Sequence, residues 1–64
     1  MDNNHLSAEE IKKLRKTLGL TQSVFARKLK IDVITVSRWE LGKQRPQQAV
    51  LRRLQRLHRK NSHD

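Results

Sequence analysis

The stretch Val33-Ile34-Thr35-Val36 is the one strand-like run in this sequence, and it has nothing to pair with. Four consecutive β-branched residues favour extended backbone, but a strand needs partners, and even an isolated two-stranded hairpin is marginal in water. Everywhere else the apolar residues recur at helical spacing. The run is also bracketed. Asp32, just before it, is a favoured helix N-cap residue, and Ser37, Arg38, Trp39, Glu40 and Leu41 carry it without a break to Gly42, a favoured helix stop. A helix over residues 33–41 therefore fits, at a propensity cost of roughly a few tenths of a kcal/mol for each β-branched residue. A chain whose most strand-like segment is a helix is all-α.

The remaining punctuation agrees. Ser7 and Glu10 have the spacing of a capping box, and Ala8, Ile11, Leu14 and Leu18 follow as one stripe, with Lys12, Lys13 and Lys16 off it. Gly19 is placed to end this first helix, at about residues 7–18. Thr21 caps a second, in which Val24, Phe25, Ala26 and Leu29 form the apolar face while Arg27 and Lys28 suit the negative end of the dipole. That helix reaches about residue 29. Pro46 fits the first turn of a fourth helix, at about 46–60, where Val50, Leu51, Leu54, Leu57 and His58 share one arc. Arg52, Arg53, Arg56, Arg59 and Lys60 share the opposite one, equally suited to solvent and to an acidic partner. Residues 1–6 read as a loose leader and the final Asn-Ser-His-Asp as patternless. One domain spanning 1–64 follows, with an ordered core of about 7–60, near the lower limit for a self-supporting fold.

Composition narrows the function. The chain has no cysteine, hence neither disulfide nor thiolate site. His5, His58 and His63 lack the spacing that places two ligands on one helical face, so no metal and no cofactor are expected. No apolar run is long enough to cross a bilayer and no signal-peptide pattern is present, which points to a soluble cytoplasmic protein with no membrane partner. No nucleophile–base pair, pocket-forming pair of carboxylates or Gly-rich phosphate loop supports an enzyme. Fifteen Lys and Arg against six Asp and Glu give a net charge of +9, which attracts polyanions. With only Phe25 and Trp39 as aromatics, platforms for stacking single-stranded bases are scarce, so charge favours a duplex.

Two short helices joined by about three residues make a helix-turn-helix. The segment LRKTLGLTQSVFARKLKIDVITVSRWELGKQRP, with its Leu-Thr-Gln start and its Ser-Arg-Trp-Glu, Gly-Lys and Pro positions, resembles the Cro/CI-type (XRE family) DNA-binding domain over roughly residues 7–57. Among short members it is most similar to single-domain regulators and antitoxins of the HigA and NadS type. The resemblance implies a compact four- to five-helix bundle of the lambda-repressor-like kind. It implies a buried ion pair between Arg15 and Glu40, and a phosphate grip by Gln22, with Thr21 and the amides of that helix start beside it. It places Lys43 and Arg45 where the family touches the DNA backbone or the minor groove. Lys30 departs from it, standing where the family often has glycine.

Geometry supplies the rest. At 100° per residue Val36 and Trp39 lie within about 60° of one another and form the core side of the third helix, while Val33, Ile34, Ser37 and Arg38 span a separate arc of about 140°. Arg38 is suited to the O6 and N7 of guanine, with a phosphate contact or simple solvation as the alternative. Ser37 is suited to a base or a phosphate. Val33 and Ile34 are either core or face thymine methyl groups. Asp32 reads as a cap before it reads as a base contact. The expected function is a sequence-specific duplex-DNA-binding regulator, a repressor acting as a homodimer on a two-fold site whose dimer contacts come from the core itself, for instance Leu51, Leu57 and His58. The alternatives are an antitoxin that also binds a protein toxin, and a protein held to nucleic acid by charge alone.

Overall fold

The computed structural model describes residues 6–62, which fold into four helices: α1 (Ala8–Thr17), α2 (Gln22–Leu29), α3 (Val33–Glu40) and α4 (Gln48–Ser62). No strand occurs among the described residues. The core takes Ile11 and Leu14 from α1, Phe25, Ala26 and Leu29 from α2, Val36 and Trp39 from α3, and Leu54 from α4. Each large side chain here is worth about 1.5–3 kcal/mol of burial. Trp39 lies at the heart of the cluster, and its indole N–H is the one buried side-chain polar atom with no partner among the described residues.

Ser7 and Glu10 form the full capping box on α1, with the Ser7 amide donating to Glu10 Oε1 at 2.8 Å and the Glu10 amide to Ser7 Oγ at 3.1 Å. Thr21 Oγ1 accepts from the Val24 amide at 3.2 Å and caps α2. Asp32 differs. It occupies the N-cap position of α3 in extended conformation, but its carboxylate makes no capping hydrogen bond. The third amide of that helix, on Thr35, instead donates to the Asp32 backbone carbonyl at 3.0 Å.

Three of the helices end alike. After α1 the Gly19 amide donates to the Lys16 carbonyl and the Leu20 amide to that of Arg15; after α3 Gly42 and Lys43 do the same to Trp39 and Arg38. This paired closure needs a left-handed residue, and Gly19 (φ 71°) and Gly42 (φ 76°) supply it without steric cost. After α2 the bonds run from Lys30 to Arg27 and from Ile31 to Ala26, so Lys30 must adopt φ 60° and ψ 44°. A lysine there costs roughly 1 kcal/mol. Lys30→Gly is therefore expected to raise stability by about 0.5–1 kcal/mol, part of the relief being offset by the greater freedom of glycine in the unfolded chain. Thermal unfolding would show a rise of a few degrees. An unchanged or lower midpoint would mean that the lysine makes a compensating contact.

Several boundaries differ from expectation. Helix α4 starts at Gln48, and Pro46 lies outside it, because the first carbonyl to accept a helical bond is that of Gln47, from the Leu51 amide at 2.7 Å. Its far end runs through Asn61 and Ser62, residues the sequence pattern assigns to a tail. Leu6, assigned to a loose leader, packs half-buried against the core. The expectations for residues 1–5, 63 and 64, including His5 and His63, lie outside the described residues.

Candidate nucleic-acid interface

A polar node fixes α3 against the rest of the domain. Arg15 Nε donates to Glu40 Oε2 at 2.7 Å and Nη2 to Oε1 at 3.1 Å, a two-pronged pairing that only a planar guanidinium makes. Arg15 Nη1 also donates to the Leu20 carbonyl at 2.9 Å, and Gln22 Nε2 to Glu40 Oε1 at 3.1 Å. The Glu40 carboxylate at the end of α3 thus holds α1 and the start of α2, while the Arg15 guanidinium holds the α1–α2 turn. Burial pushes the Glu40 carboxyl up, but hydrogen bonds from Arg15 and Gln22 and the attraction of Arg15 and Lys12 outweigh it, leaving the group below its usual range. The same hydrogen bonding raises Arg15, against burial.

Gln22 is the residue whose position most changes its meaning. The resemblance assigns its side chain to a phosphate, whereas here one amide hydrogen is spent on Glu40. The start of α2 keeps several donors open: the second amide hydrogen of Gln22, the backbone amides of Gln22 and Ser23, which have no intrahelical acceptor, and the hydroxyl of exposed Thr21, whose oxygen caps Val24. Across the node, exposed Lys43 and Arg45 stand in the loop that follows α3. Because Glu40 binds Gln22 directly, the two positive features occupy neighbouring ends of α2 and α3.

The outer face of α3 is apolar to an unusual degree. Val33 (38% exposed), Ile34 (57%) and Leu41 (65%) are the exposed large hydrophobic residues of the described chain, and all three belong to this helix or its first residue beyond. Leu41 keeps helical backbone (φ −89°, ψ −3°), so its phase continues that of the helix. On a 100° wheel Ile34, Ser37, Arg38 and Leu41 fall within about 100° of one another, opposite Val36 and Trp39. Arg38 is exposed and Ser37 half-buried. Sequence reasoning overlooked Leu41 although it lay inside the expected helix, at a visible seven-residue spacing from Ile34. It also overlooked Arg53, grouped with the arginine-rich face of the fourth helix, whose Nη1 donates to the Leu29 carbonyl at 2.8 Å and ties α4 to the end of α2. No signal in the sequence separates Arg53 from its neighbours.

A family model described as helix-turn-helix matches residues 11–61, well over half of the chain. No curated protein and no solved structure matches it.

Proposed function

Because the chain belongs to the Cro/CI-type (XRE) helix-turn-helix family, whose domains bind DNA and regulate transcription, we propose that it is a repressor that reads duplex DNA with α3 in the major groove. The observation that carries the reading is the outer face of α3: an exposed arginine set among exposed aliphatic side chains, flanked by basic residues on a chain of net charge +9. Phosphates reward cations alone, whereas thymine methyl groups reward Val33 and Ile34 and a guanine edge rewards Arg38. Ser37 sits between them, in reach of a base or a phosphate. The open amides and hydroxyl at the start of α2 and the cations Lys43 and Arg45 grip the backbone on either side, while Arg15 and Glu40 set the angle at which α3 enters. Two copies on a two-fold site, with half-sites about one helical turn apart, complete the arrangement.

Selection of bound duplexes from a random pool tests this directly. Enrichment of a symmetric sequence containing thymine and guanine supports it; a pool that enriches nothing would leave only binding by charge. Lys43→Ala is expected to weaken binding to the selected and to scrambled duplexes alike, and to reduce the slope of log affinity against log salt by about one. A loss confined to the selected duplex would move Lys43 from phosphate to base. A second reading has its own observation. Arg52, Arg56, Arg59 and Lys60 are exposed on the side of α4 opposite Leu54, a surface suited to an acidic protein such as a toxin neutralised by this chain. Co-purification of a neighbouring gene product at fixed stoichiometry, lost on reversing those charges, would establish it.

A further inference from the structure

Asp32 is an anomaly on a surface built for a polyanion. Of the six acidic residues, Asp2 and Asp64 lie outside the described chain, Glu9 and Glu10 sit in the first turn of α1, and Glu40 is paired with Arg15. Asp32 alone stands at the tip of α3, exposed and next to the exposed Val33 and Ile34. Capping does not account for it. Ser7 and Thr21 hold the same extended conformation and do cap, at 3.1 and 3.2 Å, whereas the Asp32 carboxylate makes no such bond. The Thr35 amide it would serve already donates to the Asp32 carbonyl. A full negative charge has therefore been left unengaged at the part of a recognition helix that enters the groove first.

We propose that Asp32 is a specificity-determining residue whose carboxylate accepts a hydrogen bond from the N4 amino group of a cytosine on the major-groove edge. The inference rests on the reading of α3 as the groove-entering helix. An ionised carboxylate only accepts, so on base edges it is drawn to exocyclic amino groups. Adenine sets an N7 acceptor beside its N6 amino group, which repels the second carboxylate oxygen, and guanine and thymine offer only acceptors there; cytosine is the base that fits. The same charge is repelled by phosphates wherever no amino group rewards it, so Asp32 lowers affinity for non-cognate DNA while contributing to the cognate site.

The test uses the whole chain, the duplex selected by the wild type, and a scrambled duplex of equal length. Asp32→Ala is expected to lose about 5- to 150-fold on the selected duplex, to hold or gain affinity for the scrambled one, and to relax selection at one C·G pair per half-site. Asp32→Asn keeps an equally good N-cap residue but both donates and accepts, so preference at that pair is expected to move toward A·T. Equal strengthening on both duplexes would overturn the proposal, leaving Asp32 an unspecific electrostatic brake. Equal weakening with a lowered melting temperature would overturn it in favour of a structural cap. If the wild type selects no sequence, the groove reading itself fails; if it selects one and Asp32→Ala relaxes no position, this inference alone fails.

Discussion

Replacing Glu40 with alanine is expected to destabilise the domain by about 3–5 kcal/mol, the usual cost of stranding one partner of a buried ion pair. Glu40 accepts three hydrogen bonds, two from Arg15 and one from Gln22, and the Arg15 side chain is 13% exposed. The guanidinium does not escape by losing its proton, so the charge stays behind, held only by the Leu20 carbonyl. A chain of this size has about 3–5 kcal/mol in total, so the variant should be largely unfolded at 37 °C. Trp39, the only tryptophan, is buried and reports unfolding by fluorescence. A loss below about 1 kcal/mol would mean that solvent already screens the pair. Replacing both partners, Arg15→Met with Glu40→Leu, separates stability from orientation. Apolar substitutes for a buried pair are often neutral or better, so that protein is expected to stay folded yet select DNA less sharply.

Acid should act on the same node. The folded-state Glu40 pKa lies below its ordinary value, so its contribution is complete above the unfolded pKa of about 4.3 and is lost as pH falls through the lower folded value. Below about pH 4.3 the wild type should lose stability along a slope that Glu40→Gln flattens; matching slopes would place the effect on other carboxylates.

How much of this was legible in the sequence depends on whether the information was local. The caps of α1 and α2, the stops at Gly19 and Gly42, and the core face of α3 all follow from short spacings, and the structure has them. The Val33–Val36 run is a helix, and the described residues hold no strand that could pair with it. What short spacings leave open is competition between neighbours. Asp32 is an N-cap residue in every local respect, yet its own carbonyl takes the amide that its side chain would serve. Gln22 at a helix start looks free until Glu40, eighteen residues on, claims one of its amide hydrogens. Arg53 is one arginine among several on α4, and only the approach of α4 to the end of α2 singles it out. Lys30 lies between: the turn length demands a left-handed residue, but the lysine gives no sign that it will comply.

Arg38→Ala should have the largest effect on recognition, a loss of about 1–3 kcal/mol on the selected duplex, or about 5- to 150-fold in affinity, with little change on a scrambled one. The side chain is exposed and no ion pair holds it among the described residues, so its removal costs the fold almost nothing. It lies on the same arc as Ile34 and Leu41, so a groove that receives those aliphatic groups also receives the guanidinium. Bidentate donation to O6 and N7 distinguishes guanine from the other three bases, and its loss should relax one position per half-site rather than scale all affinities. Arg38→Lys sharpens the distinction: lysine keeps the charge but not the planar fork. If Arg38 served a phosphate, lysine would restore most of the binding and the salt slope together. If it reads guanine, alanine leaves the slope nearly unchanged and lysine does not restore the full preference for that base. Equal losses on selected and scrambled duplexes, repaired by lysine, would move Arg38 from the base edge to the backbone. The discrimination would then fall to Asp32 and the aliphatic residues around it.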